Sequence, residues 1–138
     1  MIETALVCLA LNIYHEARNQ PTIGQVAVGQ VVMNRVRDER FPDTVCGVVK
    51  QGQTYSWQPD LPIRNKCQFS WWCDGKSDRP QDEEAWERAL LLASGVYLDK
   101  LHDFVEGSTH YHAIYVLPDW HESKQYVVRI NDHVFYKW

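Results

Sequence analysis

Glu16, in the stretch LNIYHEARNQ at positions 11–20, is the carboxylate whose placement asks for a chemical role. On a helical wheel Ile2, Leu6, Leu9, Ile13 and Ala17 share one stripe, with the i, i+3/i+4, i+7 rhythm of a packed face. Glu16 lies at the edge of that stripe, whereas Glu3 and Arg18 point elsewhere. A half-buried carboxylate must be paired, bound to a metal, or held with a raised pKa. Periodicity alone allows two readings. One is a structural ion pair with an arginine of the next helix, the commoner arrangement. The other is a general acid kept protonated near neutral pH.

Two clusters compete to explain it. The first joins Glu16 to the aromatic and amide residues of QFSWW (68–72), HYHA (110–113) and PDW (118–120). Glycosidic cleavage needs a proton donor at the leaving oxygen, stabilisation of an oxocarbenium-like transition state, and stacking faces for sugars. The second cluster is metal-like. His110-x-His112 would put two imidazoles on one strand face, with Cys67, Cys73, His15 and His121 as further ligands. Glu16 would then be the general base for a zinc-bound water in a peptidase or amidase. Against it, no H-E-x-x-H pattern or close CxxC pair is present. A Cys73 nucleophile with His110 or His112 as base is a third arrangement, but nothing nearby activates the thiol.

The elements that must position these groups are read from periodicity and punctuation. A first helix runs from Ile2 to Arg18 and stops before Pro21, which cannot extend it. A second, Ile23 to Arg37, is apolar nearly all round and reads as the central helix. On it Asn34 shares an inward stripe with Ile23, Ala27 and Val31. FPDTVCGVVKQG starts a short helix with Asp43 as N-cap and Gly52 as its end. From Gln53 to Pro80 the pattern is irregular and reads as loops with a short hairpin. A third main helix spans Gln81 to Asp99, its buried face made by Trp86, Ala89, Leu90, Ala93, Val96 and Tyr97. QYVVRINDHVFYKW is a β-hairpin turning at Asn131-Asp132. The class is α+β, mainly α, with three main helices, a small β element and a C-terminal hairpin.

Composition bounds the function. The chain has 138 residues, 45% of them hydrophobic, which is enough for one domain with a real core, residues 1–138. A net charge of −4 argues against nucleic-acid binding, since no basic stripe exists to neutralise phosphates. Six Trp and seven Tyr against four Phe suit a groove for sugars or peptides as well as a small core. No basic leader followed by an apolar stretch opens the chain, and no run is long enough to cross a bilayer. Cys67 and Cys73 bracket a short loop that a disulfide would close. Cys8 and Cys46 lie in or beside apolar segments, as buried thiols or as a second bridge.

The same residues carry a family resemblance. IYHEAR, GQVAVGQVVMNRV, FPDTVCGVV, CQFSW, THYHA, VLPDW and DHVFY follow one another between about Ala10 and Tyr136. In that order they resemble the SleB/CwlJ-type cell-wall hydrolases, which include spore cortex-lytic enzymes and related phage endolysins. The resemblance implies a lysozyme-like, mainly α fold acting on the glycan strands of peptidoglycan, between N-acetylmuramic acid and N-acetylglucosamine. The catalytic glutamate of its Y-x-E-A-R motif falls on Glu16. Gln68, Phe69 and Ser70 match its QFS segment and are expected to face substrate, Tyr111 and His112 match YHA and are expected to line the cleft, and Trp120 is expected to stack on sugar. Asn34 and Arg35 match NRV and are expected to be structural. Where the family commonly has Gly-Glu after EAR, this chain has Asn19-Gln20.

No segment supplies a clear second carboxylate for Glu16, with Asp119 the first candidate, so lytic transglycosylation is expected ahead of hydrolysis by a muramidase. No cofactor or metal, a monomer, and no nucleic-acid or membrane partner are expected. This domain alone resembles a phage lysis enzyme, made in the cytoplasm of a Gram-negative host and acting in its periplasm after membrane permeabilisation. A non-catalytic peptidoglycan-binding module is the reading from another class.

Overall fold

A computed structural model describes residues 4–138. Ile2 and Glu3, part of the first-helix reading, lie outside the described residues. The helix α1 spans Ala5–Ala17, its first turn capped by Thr4, whose Oγ1 accepts from the Val7 N–H at 3.2 Å. It buries Leu9, Ile13 and Ala17 as the stripe requires, and also Cys8, Ala10, Asn12 and Tyr14. The second helix, α2, spans Thr22–Val36 and is buried around most of its circumference. It shares the centre with α1, which packs against all three other helices. The two axes approach closely at Gly29, where a Cβ would sit 2.9 Å from Ile13 Cδ1. Ile23 departs from the expected inward stripe and is exposed, because it lies in the first turn. Asn34 is half-buried and donates to the Ser108 carbonyl at 2.9 Å.

The short α3 covers Val45–Val49. Its cap is Thr44, not Asp43: the Thr44 Oγ1 accepts from the Gly47 N–H at 3.0 Å. Either residue type can cap, and the register of the first turn decides. An antiparallel hairpin follows, β1 (Gly52–Tyr55) and β2 (Gln58–Cys67), and then a 3₁₀ turn at Ser70–Cys73. Helix α4, Glu83–Tyr97, starts where the Asp82 carboxylate accepts from the Ala85 N–H. The Tyr14 hydroxyl ties α1 to that start by accepting from the Gln81 and Asp82 N–H groups, both at 3.0 Å. Its buried face is narrower than expected. Ala85, Ala89, Ala93 and Val96 are covered, Trp86 and Leu90 are half-buried, and Tyr97 is 44% exposed. Small residues let α4 lie close to α1, and the larger ones splay to the flanks.

The expected C-terminal hairpin forms, with β4 at Gln125–Ile130 and β5 at His133–Lys137. Asn131 at its turn takes a left-handed conformation, φ 52°. A third strand, β3 (His110–Ala113), pairs antiparallel with β5 and gives the sheet order β3-β5-β4. Gln20 clamps the end of α1 to this hairpin, donating to the Asp132 carboxylate and accepting from the Asp132 N–H, both at 3.2 Å.

Two disulfides close the chain, Cys8–Cys46 and Cys67–Cys73, with sequence separations of 38 and 6. The chain-entropy argument assigns about 4 kcal/mol to the longer loop and about 2 kcal/mol to the shorter. Cys8→Ser with Cys46→Ser is therefore expected to lower the unfolding free energy by up to about 4 kcal/mol in urea titration.

Candidate active site

Glu16 sits in the last turn of α1 and is half-buried. The sheet brings Tyr111 to it: β3 pairs Tyr111 opposite Phe135, and the Tyr111 hydroxyl donates a short hydrogen bond to Glu16 Oε1. The loop closed by Cys67–Cys73 supplies the other wall. Two recesses meet at Glu16. The smaller, about 120 Å³, is lined by Glu16, Arg35, Gln68, Phe69, His110, Tyr111 and Trp120. The larger, about 400 Å³, runs the other way past His15, Arg18, Ser70, Trp71, Asp74, Lys76, Asp78 and Arg79. Glu16 thus stands at the junction of the two recesses.

Gln68, Phe69, Tyr111 and Trp120 line the small recess with Glu16, while Ser70 lines the larger one. His112 lines neither recess. Its Nδ1 donates to the Ala113 carbonyl at 2.8 Å, and its Nε2 pairs with the Tyr136 hydroxyl at 2.9 Å. Its ring lies 5.8 Å from that of Trp120, edge-on. His110, two residues earlier on the strand, lines the small recess instead. Phe69 is a buried floor and not an exposed platform. Trp71 joins the walls, stacked on His15 at 4.6 Å, with its Nε1 donating to the buried Asn12 Oδ1.

Arg35, expected above to be structural, lines the small recess together with Glu16. It is 5% exposed, and its Nε donates to the Thr109 carbonyl at 2.7 Å. Its guanidinium carbon lies 4.8 Å from the Phe41 ring centroid and 5.3 Å from that of Phe69. A lone arginine among buried positions of an apolar helix was the available signal.

Burial pushes the Glu16 pKa above the ordinary carboxylate value; the Tyr111 hydrogen bond and the Arg35 charge pull it back without cancelling that rise. Tyr111 is raised well above its usual range by burial and by the Glu16 carboxyl, so its hydroxyl stays a donor. With Oε1 occupied by that bond, the proton of neutral Glu16 belongs on Oε2. Burial first, then Arg35, Lys124 and Arg40, push His110 down to about 4, so it is neutral at pH 7. A depressed histidine costs stability as pH falls, because the unfolded chain takes the proton first. His110 thus weakens the fold as pH drops from about 6.5 towards 4.

The metal and thiol readings lose their groups. Cys67 and Cys73 bond to each other, and His15 donates to the Asp78 carbonyl at 2.8 Å. Among the described residues no three His, Cys, Asp or Glu side chains are grouped to hold a metal ion.

Tyr111→Phe tests the geometry. Loss of the donor removes an influence that lowers the Glu16 pKa, so the alkaline limb of the activity profile should move to higher pH. Looser aim should lower the maximal rate by up to roughly a hundredfold. A rate–pH profile checks both.

The sequence and the fold both resemble those of known proteins. Residues 19–136 match the family model described as Cell Wall Hydrolase, a span that begins just after Glu16. A spore cortex-lytic enzyme of Halalkalibacterium halodurans is 31% identical over 132 residues, covering 92% of this chain. The chain spans 33% of that relative's length. The catalytic domain of the germination-specific lytic transglycosylase SleB from Bacillus anthracis superposes with a TM-score of 0.68 at 25% identity, covering 99% of this chain and 97% of that one. The catalytic domain of the Bacillus cereus SleB protein gives 0.64 at 26% identity, over 99% and 93%.

Proposed function

The chain belongs to the cell wall hydrolase family, and from that membership we propose that it cleaves peptidoglycan glycan strands as a lytic transglycosylase. Residues 1–138 are read as one catalytic domain, with Glu16 as its acid. The observation that carries the reading is a carboxyl with a raised pKa at the meeting point of an aromatic recess and a larger polar one. The small recess holds no other acid. Asp119, the first candidate for a second carboxylate, lines neither recess; Asp74 and Asp78 line the larger one. Asp74 accepts from the Lys76 N–H in a local turn at 2.9 Å. The relative from Bacillus anthracis, itself described as a lytic transglycosylase, supports the single-acid route.

In that route Glu16 Oε2 gives its proton to the glycosidic oxygen, and the bond from the muramic acid anomeric carbon to that oxygen breaks. The departing sugar keeps the oxygen as a hydroxyl. The muramic acid 6-hydroxyl then closes on the anomeric carbon and returns its proton to Glu16. Gln68 and Trp120 hold the sugar across the small recess, Ser70 contacts it from the larger one, and Tyr111 aims the acid. His112 acts at one remove, backing Trp120.

The setting we propose is phage-driven lysis, with the chain acting as a monomer in the host periplasm once the inner membrane is permeabilised. Two disulfides support the extracytoplasmic half of that setting, because such bridges persist in oxidising compartments. No helix of the described residues is long and apolar enough to cross a membrane.

Digestion of purified peptidoglycan tests the reading, with and without prior dialysis against a strong chelator. New glycan ends should appear in both samples without new free amino groups. Free amines, lost with the chelator and restored by zinc, would make the chain an amidase. Binding to the wall with no fall in turbidity of permeabilised cells would make it a binding module.

A further inference from the structure

We propose that Arg35 is a positioning residue for Glu16: its buried guanidinium is the counter-charge that receives the carboxylate once Glu16 has given up its proton. This rests on the single-acid reading above and deepens it.

A buried cation should have its donors filled. Nε of Arg35 is filled by the Thr109 carbonyl, and the guanidinium lies between the Phe41 and Phe69 rings, which fix its plane. Yet Nη1 has no hydrogen-bond partner among the described residues. The acid nearest in sequence, Asp38, is already paired with Arg40 at 2.6 Å. A structural arginine would take such a partner. This one is held rigidly with a donor in reserve, beside the recess it shares with Glu16 and Tyr111.

The surroundings single it out. From β3, Glu16 faces Tyr111, whose hydroxyl stays protonated, and His110, which is neutral at pH 7. His15 lies beside Glu16 on α1 and Arg18 caps the end of that helix. Across the larger recess are charges of both signs, the exposed Lys76 and Arg79 and the half-buried Asp74 and Asp78. Arg35 is thus the sole permanent charge among the residues lining the small recess.

The chemistry gives that charge a use. In the first half-reaction a proton leaves Glu16, the glycosidic bond breaks, and a buried negative charge appears. In the second the 6-hydroxyl proton restores the neutral acid. One carboxyl must therefore be tolerated in both states within one turnover. Burial favours the neutral state, and a fixed guanidinium that never titrates makes the charged state accessible. Arg35 donates no proton and forms no bond to substrate.

Arg35→Gln should cut kcat about a hundredfold with KM within a fewfold of the parent. The alkaline limb of its pH profile should move up, because Glu16 has lost a cation that lowers its pKa. Arg35→Lys, which keeps the charge, should restore the limb to the parental position and recover part of the rate. Rates that fall with an unmoved limb in both variants would overturn the proposal and leave Arg35 a scaffold. Nitrogen-15 NMR of the Arg35 guanidinium in the parent gives a test that needs no Arg35 variant. Its Nη signals should follow the titration of Glu16 and lie flat across that range in Glu16→Gln. Signals flat in the parent would refute it. An inactive parent would instead sink the reading of the site, whatever Arg35 does.

Discussion

Glu16→Gln is expected to abolish glycan cleavage while leaving the fold in place. The substitution is nearly isosteric and keeps an oxygen to accept from the Tyr111 hydroxyl, but it cannot donate a proton. General acid catalysis contributes about 10²–10⁴-fold, so the loss in turnover on purified peptidoglycan should lie in that range. Stability should move the other way. The folded-state pKa of Glu16 lies above the unfolded value, so its contribution is fully present below the unfolded pKa and is lost as pH rises through the folded one. Gln titrates nowhere in that window. The variant's thermal midpoint should therefore gain on the parent's as pH is raised through it. Activity within a few-fold of the parent would remove Glu16 from the acid's role.

The second large effect lies beneath the site. Phe135 is 0% exposed and packs with Ala17, Val28, Val31 and Val105. Its ring lies 5.6 Å from that of Tyr111, so it backs the residue that aims Glu16. Phe135→Ala should cost about 3–5 kcal/mol through lost burial and an unfilled cavity. That is a large share of the roughly 5–15 kcal/mol that holds a domain together. The midpoint should fall by roughly 10–20 °C. Leu91→Ala, at a position 71% exposed, should change stability by no more than about 0.5 kcal/mol in the same calorimetric series.

Much of this arrangement was legible because it is local. The Glu16 stripe is a matter of helical period, the Asn131-Asp132 turn is a two-residue signal, and Cys67 and Cys73 bracket a short loop that a bridge could close. What was not legible depends on contacts distant in the chain. Arg35 reads as a structural residue buttressing the helix of Glu16; its bond to the Thr109 carbonyl, 74 residues away, has no local signal. The four-residue β3 has too little pattern to announce its pairing with β5, and that pairing decides that Tyr111 reaches Glu16. The same pairing puts His112 against Tyr136 and leaves His110 in the recess. Asp119 and Trp120 are adjacent in sequence, yet only the tryptophan enters the small recess, because the 3₁₀ turn sends them different ways.

The central claim is that one carboxyl, Glu16, acts first as acid and then as base. Mass spectrometry of digested peptidoglycan, before and after borohydride, tests it most directly. Transglycosylation leaves each new muramic acid end as a 1,6-anhydro ring, which resists reduction, so the fragment masses should not change. Fragments that all take up hydrogen at muramic acid would mean that water attacked. A second carboxylate would then be required, with Asp74 and Asp78 of the larger recess the first to replace, and the account given for Glu16 acting alone would be wrong.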